Sequence, residues 1–149
     1  LGYLVIPPDM TPHIGKLLEF NTSCAPVFVQ RAALVALAQT ETITPRIVAH
    51  LKRCRDTLVP RLQALPGVHA SAAPGGMYAF LRVDEHDDSL VLAKRLVAEA
   101  GLGLAPGIAF APEAEGWLRW CFASRELARL AQGSRRLADW LERPSRRAP

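Results

Sequence analysis

At 149 residues, half of them hydrophobic and 21% charged, the chain has a globular composition, with room for one domain or for a small domain plus part of another. Its formal charge of +4 gathers in "HLKRCR" and in Arg143, Arg146 and Arg147 of the tail. Neither stretch has the interleaved aromatics of a single-strand binder or a zinc-finger spacing, so no nucleic-acid partner is expected and the charge serves solubility. Cys24, Cys54 and Cys121 form no C-x-x-C pair, and no leader or long apolar run is evident. The expectation is a cytoplasmic protein with reduced thiols, no metal site and no membrane partner.

Leu1–Ile6 is a compact apolar run closed by Pro7 and Pro8, and it reads as a buried strand already under way. With no initiating Met, it points to a preceding segment that was removed or that belongs to a longer protein. "MTPHIGKLLEF" predicts a short helix with Thr11 as N-cap and Pro12 at the first helical position. After the polar loop "NTSCAP", a second helix is expected over "VFVQRAALVALAQ". A long helix follows, capped by Thr44 with Pro45 in its first turn. Its apolar stripe is Ile47, Leu51, Cys54, Leu58, Leu62 and Leu65, and Pro60 is expected to kink or divide it.

Beyond "LPG" the texture changes. Val68–Ala73 and Met77–Val83 predict strands around a Pro-Gly-Gly turn. Ser89–Ala100 predicts a helix ended by Gly101, with Leu90, Ala93, Val97 and Ala100 on its buried face. "LGLAPG" and Trp117–Ala123 read as two further strands. Ser124 then caps a last helix buried through Leu127, Leu130, Leu137 and Leu141. The order β-β-α-β-β-α defines an α+β unit, with helices covering one face of a small, largely antiparallel sheet. The boundary between the two parts is expected along the long helix, near Pro60, so that residues 1–59 run up to and into that helix. Residues 60–143 form the small domain, and 144–149 a frayed tail.

Chemistry-bearing side chains are sparse. His13, His50, His69 and His86 are scattered without i,i+4 pairing among themselves, which reads as surface placement. Asp84, Glu85, Asp87 and Asp88 around His86 read as a solvated turn before a helix. Cys121 reads as a small buried hydrophobe, Lys16 and Lys94 as exposed stems, and Lys52 as part of a solvated basic face. In "WLRWCFA", strand alternation puts Leu118, Trp120 and Phe122 on one face and Trp117, Arg119 and Cys121 on the other. Arg119 is then either a snorkelling strand-edge cation or a rigidly mounted fork for a carboxylate.

Several segments, taken in order, resemble the C-terminal part of the pyridoxal-phosphate (PLP) aminotransferases of fold type I, class I/II. "LGYLVIP" is similar to the segment that follows the family's cofactor-lysine motif, and "NTSCAPVFVQRAALVAL" to its next loop and helix. "APGGMYAFLRV" resembles the small-domain Pro-x-Gly-aromatic hairpin, and "GLGLAPGIAF" the Val-x-Pro-Gly-x-x-Phe segment. "GWLRWCFAS" resembles the strand that bears the substrate arginine.

The resemblance implies an α/β fold made of a large-domain remnant, a connecting helix and the small domain. It implies amino-group transfer from an amino acid to a 2-oxo acid, with PLP as cofactor, in a homodimer. It assigns Arg119 to the substrate α-carboxylate. Asn21 and Thr22 fall on a loop that approaches the partner subunit's site, and Gly75, Gly76, Pro106 and Gly107 on loops at the entrance. The family's cofactor lysine and a phosphate-binding arginine fall before Leu1, so this chain alone is expected to be inactive and not to bind PLP covalently. A β-lyase on the same scaffold, a PLP-sensing regulatory domain and a stand-alone binding domain are the alternatives.

Overall fold

The computed structural model describes residues 1–143, and the expected fraying of 144–149 lies outside the described residues. Two compact units form, Leu1–Ile47 and a second that begins at Val48.

The first unit is helical. Leu1–Ile6 has no regular secondary structure, and Leu1, Tyr3, Leu4 and Val5 are exposed. The buried strand expected there is therefore corrected. A strand needs a ladder partner for its backbone groups, and the rest of this unit is helix and turn. Helix α1 spans Thr11–Asn21, with Met10 rather than Thr11 at its N-cap and proline in its first turn. Helix α2 runs Val27–Ala38 directly after Pro26.

Helix α3 spans Thr40–Gln63 and starts four positions before the expected Thr44 cap. Its first turn hangs on the Gln39 carbonyl, which accepts from the N–H groups of Thr42 and Ile43, both at 3.0 Å. Pro60 does not divide it. The proline sits in the last turn, and both it and Asp56, whose carbonyl a residue with an N–H at position 60 would ordinarily serve, are exposed.

The second unit follows the expected order: β1 Val68–Ala70, β2 Tyr78–Val83, α4 Ser89–Ala100, β3 Ala105–Pro106, β4 Trp117–Cys121 and α5 Leu127–Leu141. The sheet order is β1-β2-β4-β3, and every neighbouring pair is antiparallel. Pleating gives the sheet one buried and one open face. Ala79, Leu81 and Val83 of β2 and Leu118 and Trp120 of β4 join one core with Cys54, Leu58 and Leu62 of α3, Leu92 and Leu96 of α4, and Leu130, Leu137 and Trp140 of α5. Register carries the same division across the strands: Leu81 faces Leu118 on the core side, and Phe80 faces Arg119 on the open side.

Helix α4 keeps its predicted limits, between the Asp88 carboxylate, which accepts from Val91 N–H, and Gly101 in the left-handed region. Its buried face differs from expectation. Leu92, Ala93 and Leu96 are buried, while Leu90 and Val97 are exposed. Helix α5 starts at Leu127 with Glu126 at its N-cap. Ser124, expected to be the cap, instead accepts from Glu126 N–H through its hydroxyl. Gly133 on α5 admits the Trp120 ring, which would lie 2.8 Å from a β-carbon there.

Candidate functional site

Strand β4 is central, with β2 on one side and β3 on the other. Leu118, Trp120 and the following Phe122 are buried, so they anchor it to the core. Alternation then sends Arg119 out of the open face between Phe80 and Ala105, its ladder neighbours. The guanidinium carbon lies 3.8 Å from the centroid of the Phe110 ring and 4.3 Å from that of Tyr78. Phe80 in turn meets Phe110 edge-on, at 6.3 Å and 71°. Among the described residues no carboxylate pairs with Arg119. A half-buried, permanently charged fork is thus held by aromatic faces and left without a counter-ion, as a receiver of an anion would be.

The expected loop glycines lie on the segments that carry the aromatic neighbours of Arg119. Gly107 is buried and opens a 3₁₀ turn that ends beside Phe110, whose N–H donates to Gly107 O at 2.8 Å. A β-carbon on Gly107 would stand 2.7 Å from Trp117 O and closer still to Ala114 O, so only glycine fits. Gly76 adopts φ +68° in the turn that delivers Tyr78, and Phe122 N–H donates to Met77 O at 2.9 Å, tying that turn to the end of β4. Pro106 pairs with Leu118. Asn21 and Thr22 close helix α1 in the other unit and are exposed.

Other candidates fall elsewhere. His69 pairs with Asp84 at 2.9 Å. His86 lies against Trp140, and burial, with help from Arg95, lowers its pKa. Lys52 is two-thirds exposed and held by Asp56 at 2.7 Å, while Lys16 and Lys94 are exposed. Cys121 is exposed on the open face, which corrects its reading as a buried hydrophobe; Cys54 is the buried thiol. No group of three or more metal-ligating side chains is gathered among the described residues, and no helix there is long and apolar enough to cross a membrane.

Three features escape the pattern reading. Tyr78 and Phe110 carry no spacing signal beyond their place in aromatic-ending Gly-rich motifs. Cys54 and His50, four residues apart on α3, both reach Ser124 O just beyond β4, at 3.4 and 2.7 Å. Glu115 accepts from the N–H groups of Ser89 at 2.6 Å and Gly116 at 3.0 Å. These backbone donors, Ser89 first, and the Ser89 hydroxyl hold its carboxyl below the usual range.

The fold and site define an α/β protein that presents one aromatic-flanked cation from a central strand. The chain belongs to the aminotransferase class I and II family, whose model matches residues 1–137. It is 30% identical over 125 residues to the aspartate aminotransferase of Musicola paradisiaca (strain Ech703), covering 83% of this chain and 31% of that relative. It is equally 30% identical, over 124 residues, to a probable N-acetyl-LL-diaminopimelate aminotransferase of Bacillus subtilis (strain 168), with the same shares covered. Its fold matches that of an aromatic aminotransferase from Pyrococcus horikoshii OT3 with a TM-score of 0.78 at 24% identity, over 91% of this chain and 36% of that one. The chain therefore spans about a third of the length of the relatives it matches. PLP is the cofactor of this fold type I family. The three lysines here are each open to solvent, so none of them is enclosed as a lysine joined to that cofactor would be.

Proposed function

We propose that the complete protein carrying this sequence transfers the amino group of an amino acid to a 2-oxo acid, and that Arg119 receives the substrate α-carboxylate. One observation carries the reading: Arg119 projects from the central strand against two aromatic rings, with no carboxylate among the described residues to neutralise it. A planar guanidinium on a rigid strand donates two parallel N–H bonds to a carboxylate, which fixes the orientation as well as the position of the substrate. The family relationship supports the reaction class.

In this reading Gly107 and Gly76 shape the loops that deliver Phe110 and Tyr78. Asn21 and Thr22 serve the neighbouring subunit of a homodimer. The chain by itself is inactive, because it offers no enclosed lysine to the cofactor. Residues 1–59 continue a large domain, and free thiols accord with a cytoplasmic place.

The test is product analysis. The complete protein, supplied with PLP, an isotopically labelled amino acid and a 2-oxo acid, is expected to deliver the labelled nitrogen into a new amino acid. With a β-substituted amino acid, release of its β-substituent, ammonia and a 2-oxo acid in equal amounts would assign a β-lyase instead, and absence of any turnover with a panel of amino acids would refute the enzyme reading.

A further inference from the structure

Resting on the carboxylate reading of Arg119, the geometry points to Phe110 and Tyr78 as positioning residues: together they hold the guanidinium in its binding orientation before the anion arrives. The two rings come from segments far apart in sequence. Tyr78 opens β2, and Phe110 follows the 3₁₀ turn after β3. Both converge on one side chain of β4, with the guanidinium carbon 4.3 and 3.8 Å from the two centroids.

An arginine side chain is long and rotamer-rich, and an unattached one loses that freedom when it binds an anion. Contact between the cation and the negative face of each ring fixes the guanidinium ahead of binding, so less ordering remains to be done on association. Aromatic faces suit this task where a carboxylate would not. They attract the cation without neutralising it, and among the described residues no hydrogen bond engages its N–H groups, which remain available to a bidentate anion.

The clamp is itself braced. Phe80 sits edge-on to Phe110, and the Phe110 N–H is fixed to Gly107 O. At 40% and 45% exposure, Tyr78 and Phe110 also keep part of each ring open, as a surface that the bound anion's carbon skeleton can cover.

The experiment compares Phe110→Leu, Phe110→Tyr, Tyr78→Leu and Arg119→Ala in the complete, cofactor-loaded protein. The first readout is the Kd of propionate, a carboxylate without an amine, by calorimetry. The second is the split between KM and kcat for an amino acid, with propylamine as the substrate lacking a carboxylate. Phe110→Leu keeps the bulk but removes the ring face, and is expected to weaken propionate about three- to tenfold and to raise KM by a similar factor. In the same variant kcat is expected to move less than about twofold, because the reacting centre is untouched. Phe110→Tyr restores the face and is expected to return both values to those of the wild type. Tyr78→Leu, at the site without an edge-on brace, is expected to act in the same direction and covers the case in which the Phe110 change unfolds the loop. Propylamine, which has no carboxylate for the guanidinium to hold, is expected to lose less in kcat/KM than the amino acid does in every variant. If both leucine variants bind propionate like the wild type while Arg119→Ala does not, the clamp is overturned and the arginine assignment stands. If Arg119→Ala also leaves propionate binding unchanged, both are overturned.

Discussion

Replacing Gly107 by alanine adds a single methyl group, and the structure states what it meets. The β-carbon would lie 2.7 Å from Trp117 O and nearer still to Ala114 O. Both obstacles are backbone, so no rotamer change can relieve them. The 3₁₀ turn Gly107–Ala109 must move away from β4, or the segment Pro112–Trp117 must yield. Overpacking of this kind costs about 1–3 kcal/mol, occasionally more, which lowers the unfolding midpoint of a chain this size by roughly 2–12 °C. Trp117, Trp120 and Trp140 all lie in the unit that begins at Val48, so tryptophan fluorescence during heating reports on that unit directly. Gly103→Ala is the control, because no atom lies within 4 Å of a β-carbon there; it is expected to be neutral or to stabilise by about 0.4–1 kcal/mol. Equal midpoints for Gly107→Ala and Gly103→Ala would refute the packing argument. The same displacement moves Phe110, so weaker carboxylate binding is expected to accompany the lost stability in the complete protein.

Three more outcomes are expected. Because folding lowers the Glu115 pKa, its contribution to stability is full above the ordinary glutamate range near about pH 4.3 and is lost as the pH falls through the lower folded value. Glu115→Gln should therefore be less stable at neutral pH and lose less on acidification; parallel stability-versus-pH curves would contradict this. Treating the chain with PLP and borohydride should leave no stoichiometric single-site adduct by mass spectrometry, and a clean adduct on Lys52, now held by Asp56, would overturn that. In the first unit Tyr3, Val5, Phe20 and Phe28 are each more than 70% exposed, so the isolated chain should self-associate in light scattering; a monomer stable over a wide concentration range would argue otherwise.

Where one face of an element is strongly apolar, the sequence reading and the structure agree. The alternation in "WLRWCF" placed Leu118, Trp120 and Phe122 inwards and Arg119 outwards, and their burial follows it. Helix α4 was legible in its ends but not in its orientation. Leu90, Val91, Leu92, Ala93, Leu96 and Val97 surround the helix almost completely, so periodicity cannot choose a face, and contact with α5 and the sheet does so instead. Leu1–Ile6 has strand composition, but pairing is a tertiary property and no neighbour in its unit supplies it. Helix α3 starts early because the Gln39 carbonyl is available, and no capping signal marks that. The aromatic clamp is the hardest part to see. Tyr78 and Phe110 meet Arg119 only after three strands have aligned, and nothing in their own spacing announces it.

The most direct measurement is the effect of Arg119→Ala on the complete protein, with kcat/KM taken in parallel for amino acids and for amines lacking a carboxylate. Loss of a largely desolvated, bidentate ion pair costs on the order of 2–5 kcal/mol, so kcat/KM for amino acids should fall about thirtyfold to several thousandfold. Arg119→Lys should recover only part of that, because an ammonium keeps the charge but not the fork. The amines should be almost indifferent. Near-normal kcat/KM for amino acids, or an equal loss for both kinds of substrate, would contradict the assignment of Arg119 to the substrate carboxylate.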